Sequence, residues 1–397
     1  MLDALNDDCQ LAIIKYLNIF DRITLYEATK GTSNRLNKNV AYAWKLQLSF
    51  ILDWSDYEKF EAMPKLLDVF LSNCSATMQE LKLDRVKLDF LKRWENYTFP
   101  RIKTLEYTLD FGDDYTFLFG AVNLVADEAI RTIAKLFPGL HSLKTNGDFH
   151  CVVLQKWKQM RKLDLSNWYY HDYEYDCVKD IAKCQLLEEL TLDDRRIKSS
   201  NYEDLMALPK LRKLCILSAS EVKLAELFEK RAVDVHRIIF SNDHPNSHMT
   251  TLHKMRNVRH FNIMDIQNHF SIENLRDLIK IWKQLEQIDL IDFEIWSGET
   301  ELWQTVASCP TLKILNILNT DMREDFFEVG RHIMEETLNN RSQTLTLNFY
   351  ENYTPYKELI LQNFKHPQLK VTFEPFKLYH DDDICFLEIH FQPLQSS

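Results

Sequence analysis

The sequence repeats one pattern of hydrophobic and polar positions along most of its length. The pattern is apolar-x-x-apolar-x-apolar, as in Leu312, Leu315 and Ile317, where it follows Pro310. Its central positions recur at intervals of 20 to 30 residues, apart from one interval of 38. Such a period is typical of repeat proteins, in which neighbouring units stack to bury a shared core. The central positions of the twelve copies are Leu81, Leu105, Leu143, Leu163, Leu190, Leu214, Ile238, Phe261, Ile288, Leu315, Leu345 and Leu369.

The residues between two copies have a different apolar spacing, which predicts helices. From Ile272 to Trp282 the apolar residues fall three and four positions apart, as on one face of an amphipathic helix. Proline follows several of these segments, and it biases the residue before it toward extended backbone. Each repeat is therefore predicted to consist of one strand and one helix. The prolines that mark this change are Pro138, Pro209, Pro310 and Pro367.

The copies resemble leucine-rich repeats over about three quarters of the chain. That family has L-x-x-L-x-L at each strand and a period of about 20–29 residues. The resemblance implies an α/β solenoid of about 12 strand–helix repeats, with a parallel sheet on the concave face. The asparagine or cysteine that the family places three residues after the last strand leucine is absent, so an asparagine ladder is not expected there. The residues at this position are Trp168, Ala219, Ile266, Phe293 and Thr320.

The first 45 residues do not follow the repeat and predict three short helices. Asn6 or Asp7 suits the cap of a first helix, and Asp21 suits the cap of a second. A third helix is predicted from Asn34 to Trp44, where apolar residues recur every four positions. The sequence therefore predicts a small all-helical domain in front of the repeats.

This helical segment resembles the F-box. The resemblance includes an amphipathic helix ending near Tyr-Leu, an acidic residue after a short break, and a final helix bearing an aromatic residue. Asn6 stands where the family has proline, and Arg35 stands where tryptophan is common. The order of an F-box followed by leucine-rich repeats is itself a known arrangement. The matching residues are Leu5, Ile13, Ile14, Tyr16, Leu17, Asp21, Ile23, Leu25, Ala28, Leu36, Val40 and Trp44.

The F-box resemblance implies a role in ubiquitin ligation. Such domains dock onto the Skp adaptor of a Skp–cullin–F-box (SCF) ligase, and the repeats then hold a protein substrate near the conjugating enzyme. The alternative is that the helices only cap the open end of the array, as every solenoid requires. The expected adaptor contacts, each of which equally suits the core of the helical domain, are Leu5, Leu11, Ile14, Leu17, Ile23 and Leu25.

Between the inward apolar positions of each strand lie the residues that we call the intervening positions. We expect them on the concave face, because side chains along a strand alternate between its two faces. In the earlier copies they are polar, as in Glu80, Lys82 and Glu106. In the later copies many are apolar, which predicts an exposed patch for substrate. The alternative is that residues 374–391 cover the patch. The predicted substrate contacts are Cys215, Leu217, Arg237, Ile239, His260, Asn262, Met264, Ile291, Ile314, Asn316 and Leu318.

Composition narrows the classes of function. The net charge is −11, whereas nucleic-acid-binding proteins usually have a basic excess. The chain has only 7 glycines and neither GxGxxG nor GxxxxGK, which argues against a phosphate-binding enzyme. No GxSxG nucleophile motif is present. We therefore expect a non-catalytic protein without cofactor, nucleic-acid partner or membrane partner.

The cysteines and histidines do not predict a metal site. The 8 cysteines include no CxxC pair. His244, His248 and His253 are spaced for a metal but have no nearby cysteine and few acids, so a polar loop is expected. Acidic residues near Met1 do not fit a signal peptide, and no apolar run approaches the ~20 residues of a membrane span. We expect the cysteines to be reduced and the protein to be located in the cytoplasm or the nucleus.

These patterns predict four segments and two functions. The segments are an F-box-like domain (1–45), a helical linker and cap (46–76), the repeat solenoid (77–373) and a C-terminal cap or tail (374–397). The favoured function is the substrate-recognition subunit of an SCF ligase, with the Skp adaptor, the cullin complex and a protein substrate as partners. The alternative is a repeat scaffold for protein interactions whose first helices only seal the array.

Overall fold

The computed structural model describes residues 2–110, 119–146, 149–167, 177–193, 202–217, 231–241, 249–264, 270–291, 299–318, 330–350, 356–375, 386–392 and 394. The chain divides into two compact units, residues 1–187 and 188–397. Each unit contains parallel strands separated by helices, and the first unit begins with a group of helices. The predicted α/β fold, a solenoid of strand–helix repeats preceded by a small helical domain, is confirmed.

Three helices form the start of the first unit, and side chains cap each of them. Asn6 Oδ1 accepts a hydrogen bond from Cys9 N (2.8 Å) at the first helix. Asn18 Oδ1 accepts from Asp21 N (2.9 Å) at the second, so Asn18 is the cap there and the prediction of Asp21 was wrong. Such caps satisfy amides that lack an intrahelical partner. The helices are α1 (Asp7–Lys15), α2 (Ile19–Thr29) and α3 (Asn34–Leu46).

The rest of the first unit alternates helices and five parallel strands. From β1 through β5, each strand pairs with the next strand along the chain. β1 lies within the segment that was predicted to be wholly helical. The strands are β1 (Ser49–Leu52), β2 (Glu80–Val86), β3 (Thr104–Leu109), β4 (Ser142–Asn146) and β5 (Lys162–Asn167), and the helices are α4 (Trp54–Ala62), α5 (Pro64–Cys74), α6 (Leu88–Lys92), α7 (Phe119–Leu136) and α8 (Val178–Ile181).

The second unit continues the same alternation with nine strands in the described residues. Eight of them are parallel, and their described helices include α9 (Tyr202–Met206), α10 (Met249–Leu252), α11 (Ile272–Ile281), α12 (Glu299–Ser308), α13 (Arg331–Asn339) and α14 (Lys357–Asn363). The strands are β6 (Glu189–Asp193), β7 (Lys213–Leu217), β8 (Val235–Ser241), β9 (His260–Met264), β10 (Gln287–Ile291), β11 (Ile314–Leu318), β12 (Leu345–Phe349), β13 (Leu369–Thr372) and β14 (Phe386–Phe391).

β14 interrupts the order of the repeats in the second unit. It lies between β7 and β8 and pairs antiparallel with both, with Glu388 opposite Cys215 and Ile239. Arg231 fixes the end of this strand, because its Nη2 donates to Gln392 O at 2.6 Å and its guanidinium lies 4.6 Å from the Phe391 ring centroid. The segment predicted to cap or cover the repeats therefore supplies a strand of the sheet.

The predicted core is confirmed with one correction of register. Each of the twelve copies forms a strand, and its inward residues are buried, as at Leu163 and Leu214, except in the last copy, where Leu369 and Val371 are half-buried. In the last two copies, however, Leu347 and Val371 continue the column of Leu315, so the central positions lie two residues later than predicted. The side-chain period of a strand is two, so this shift leaves the same residues facing the core.

Candidate functional site

The core of the helical domain includes two of the predicted adaptor contacts. Ile14 and Ile23 are 1% and 0% exposed, beside the equally buried Val40 and Trp44 of α3. A side chain without exposed surface cannot form a direct contact with a partner. The prediction of Ile14 and Ile23 as adaptor contacts was therefore wrong, because these residues pack the three helices together.

The other four predicted contacts keep part of their surface. Their role in adaptor binding stays a prediction. Each is half-buried in the structure, and the four are Leu5, Leu11, Leu17 and Leu25.

A buried arginine joins the end of α1 to the end of α3. Arg22 donates from Nε to Ile14 O (3.0 Å) and from Nη2 to Lys15 O (2.9 Å). Its Nη1 donates to the side chain of Gln47. A cation at these last carbonyls is favourable because a helix C-terminus has partial negative charge. Burial lowers the pKa of Arg22, yet arginine stays charged at neutral pH.

A groove lies between α1 and α3, on the side where Arg22 joins them. Its volume is about 660 Å³, which is large enough for several side chains of a partner. Its walls are mainly apolar and include one acid and two bases. The lining residues are Asp8, Leu11, Ala12, Lys15, Arg22, Ala43, Leu46 and Gln47.

Exposed apolar side chains are concentrated in the helical domain and in the residues that directly follow it. Tyr16, at the end of α1, is 90% exposed, and Leu46 in the groove wall is 56% exposed. In the described part of the chain, eight of the fourteen exposed large hydrophobic residues fall between positions 13 and 63. Such a concentration is typical of a protein-interaction surface. The eight are Ile13, Tyr16, Tyr42, Leu46, Leu48, Ile51, Trp54 and Met63.

The patch predicted for substrate is not an exposed apolar surface in the second unit. Phe386 of β14 forms one buried cluster with three of the predicted residues, and another three pack together with Tyr350 alongside. Alternation predicts which face a side chain takes but not whether that face is covered. The residues found buried are Cys215, Leu217, Ile239, Asn262, Met264, Ile291, Asn316 and Leu318, whereas Arg237, His260 and Ile314 are half-buried.

A buried polar network occupies the intervening positions from β9 to β13. Asp289 Oδ2 lies 2.5 Å from His260 Nε2 and accepts from Asn262 Nδ2 at 3.2 Å. Its Oδ1 accepts from Gln287 Nε2 (2.8 Å) and Asn316 Nδ2 (2.6 Å). Burial raises the pKa of Asp289, but the hydrogen bonds from His260, Gln287 and Asn316 outweigh burial and lower it. This carboxylate is therefore satisfied and charged.

The network continues as a ladder across two further strands. Asn348 donates to Asn316 Oδ1 at 3.1 Å, and Asn348 Oδ1 accepts from Thr372 Oγ1 at 2.8 Å. These residues stand opposite one another in the strand register. The second unit therefore has an amide ladder within the strands, and the five positions where the family pattern places asparagine lie outside the described residues.

A second buried carboxylate holds β14 in place. Glu388 Oε2 lies 2.6 Å from Lys213 Nζ, and Glu388 Oε1 lies 2.7 Å from His390 Nε2. Burial raises the pKa of Glu388, but the hydrogen bonds and charges of His390 and Lys213 outweigh it and lower the pKa to about 2. Neither this ion pair nor the role of residue 388 could be predicted from local sequence.

The first unit has charged side chains at the corresponding intervening positions. Glu106 lies 2.8 Å from Lys82 Nζ and 3.7 Å from Lys144 Nζ, with partly exposed side chains throughout. Opposite charges on adjacent strands give a modest cross-strand attraction. At these positions of the earlier copies, charged side chains are paired across strands and stay partly exposed to solvent.

The described residues contain no cluster of three or more histidine, cysteine or acidic side chains arranged for a metal ion. His244 and His248, two of the three histidines considered above, lie outside the described residues. No helix in the described ranges is both long and apolar enough to cross a membrane.

Comparisons with known proteins give a distant structural likeness. No protein-family model matches the chain, and no curated protein matches it. Among solved structures, the chain is similar to one described as the crystal structure of the Rad7 and Elc1 complex in yeast. The two share 10% sequence identity over 92% of each chain, with a TM-score of 0.39.

Proposed function

We propose that this protein is the substrate-recognition subunit of an SCF ubiquitin ligase. In this proposal the helical domain docks onto a Skp adaptor, and the strand–helix repeats hold a protein substrate for ubiquitination. The protein acts in the cytosol or nucleus as a non-catalytic receptor. Its contribution to the reaction is proximity, because a held substrate presents its lysines at high effective concentration.

The observation that supports the docking role best is the distribution of exposed apolar side chains. Leu46 in the groove wall and Tyr16 at the end of α1 leave more than half of their surface in water, and most of the exposed large hydrophobic residues in the described part of the chain fall between positions 13 and 63. Burial of apolar surface contributes about 25 cal/mol per Å², so a partner at this site would gain affinity from it. The F-box resemblance of the same helices supplies the kind of partner.

The alternative role, a scaffold with a helical cap, also has an observation in its favour. Helices α2 and α3 pack against α5, the helix that precedes the first predicted repeat. A cap needs this packing, whereas an adaptor-binding domain needs the outward groove as well. Binding of the adaptor therefore separates the two roles.

The test uses the full chain and a purified Skp adaptor in a binding assay. We expect binding that Leu46→Glu abolishes, because a charge would be placed in an apolar contact. Val152→Glu is the matched control, since Val152 is 54% exposed and belongs to the 3₁₀ helix Cys151–Lys156, far along the chain from the groove. Absence of binding by the unaltered chain would favour the scaffold role, and equal effects of both substitutions would contradict the groove assignment.

A further inference from the structure

The apolar surface of the helical domain continues past the groove onto the first strand of the sheet. Leu46 ends α3 and lines the groove, and Leu48 and Ile51 follow it at 41% and 64% exposure. β1 has the alternating burial of a strand with one covered face, with Phe50 and Leu52 inward. Ile51 is thus an apolar side chain on the face where β2 places Lys82.

β1 is an edge strand of the first unit. It pairs with β2 on one side, and in the described residues no strand pairs with its other side. Gln79 N and Glu80 N both donate to Leu48 O at 2.8 and 3.0 Å. In a parallel pair of strands, every second residue directs its backbone N–H and C=O toward the same neighbouring strand. Since Leu48 bonds to the residues at the start of β2, Phe50 and Leu52 also direct their backbone groups to β2.

The backbone groups of Ile51 consequently point toward the open edge. In the described part of the chain, no loop or side chain donates to Ile51 O or accepts from Ile51 N. At Ser49, by contrast, the backbone oxygen already accepts from Gln47 Nε2 at 3.0 Å. An open edge with an exposed apolar side chain is a template for strand addition, which natural edges usually avoid with charge or proline.

We propose that the adaptor docked on the helical domain also contacts β1, through an extended segment that pairs with Ile51 and packs apolar side chains on Leu48 and Ile51. This inference rests on the proposed function. Continuity assigns both contacts to one partner, because Leu46 belongs to the groove and Leu48 is only two residues later. The partner segment must be extended and apolar, since the edge has one open backbone pair and no charged side chain at position 51.

The test compares two substitutions of one residue in the full chain. Ile51→Ser removes the apolar side chain and keeps the N–H, whereas Ile51→Pro removes the N–H that faces the edge. Proline is tolerated at such an edge position because the ladder bond to β2 does not use this amide. We expect both to weaken Skp adaptor binding about tenfold, with Val152→Ser, at an apolar site that is also more than half exposed, as the matched control.

Hydrogen exchange supplies a second measurement that does not depend on a substitution. The Ile51 amide should exchange more slowly in the complex, because a paired edge amide is protected. Affinity within twofold for Ile51→Ser together with an unchanged exchange rate would overturn the inference, while Leu46→Glu would still report on the groove. Self-association of the chain through this edge, detected by sedimentation and abolished in Ile51→Pro, would also overturn it. Absence of adaptor binding by the unaltered chain would instead refute the proposed function.

Discussion

The intervening strand positions differ between the two units, although one sequence pattern builds both. In the first unit they hold charged side chains in water, such as Lys82 and Glu106. In the second unit they hold a buried network around Asp289. The difference shows that the repeat pattern specifies the core face of each strand and leaves the environment of the other face open.

Among the substitutions that test this difference between the two units, replacement of Asp289 should cause the largest loss of stability. Asp289→Ala removes one carboxylate that four side chains share, so buried amides and an imidazole lose their partner. We expect a loss of about 3–5 kcal/mol in the free energy of unfolding, measured with urea. Asp289→Asn keeps an acceptor of the same shape and should cost less. Equal losses for the two variants would contradict the hydrogen-bonded network as the source of stability.

Truncation of the core should affect both units alike. Leu163→Ala and Leu214→Ala remove equivalent buried side chains from β5 and β7. Each should cost about 2–5 kcal/mol through lost burial and the cavity left behind. The measurement is the urea midpoint and slope of each variant. An unchanged midpoint in either variant would show that the strand register is wrong in that unit.

Acid should weaken the second unit through Glu388. Its pKa is depressed to about 2, so its contribution to stability is complete above the ordinary glutamate value and is lost as the pH falls toward 2. Glu388→Gln lacks this dependence. The stability difference between the unaltered chain and the variant should therefore shrink by about 2 kcal/mol between pH 6 and pH 3. A constant difference across that range would contradict the buried ion pair.

The exposed charges of the first unit should matter least. Glu106→Ala breaks pairs with Lys82 and Lys144, whose side chains are 46% and 42% exposed. Solvent screens such pairs, so the expected change in unfolding free energy is about 0–1 kcal/mol and should diminish at high salt. A loss comparable to that of Asp289→Ala would end the distinction between the two units.

The sequence predicted the burial of a residue best where burial follows from the residue's own type and its spacing in the repeat. Leu163 and Leu214 could be placed in the core because apolar side chains recur there at a fixed spacing. The burial of Met264 and Leu318 could not be predicted, because it depends on packing against residues distant in the chain. For the same reason β14 was taken for a cap, since its pairing with β7 and β8 is a long-range contact.

The surface proposed for adaptor docking could be predicted only in part. The F-box pattern located the helical domain, but helical spacing does not separate inward from outward apolar residues when both faces carry them. Ile14 and Ile13 are adjacent and both apolar, yet Ile14 is buried and Ile13 is 39% exposed. β1 was not predicted because it has only four residues within a segment of helical pattern, too few to show the alternation of a strand.

The position of β14 also sets an order of events during synthesis on the ribosome. Arg231 pairs with the backbone of Gln392, 161 residues later. At about 5–20 residues per second, roughly 7–30 s pass between the emergence of β8 and that of β14. Until then β7 and β8 each have an unpaired edge, which is the condition in which nascent chains aggregate or recruit chaperones. Folding of the second unit therefore cannot finish repeat by repeat in step with translation.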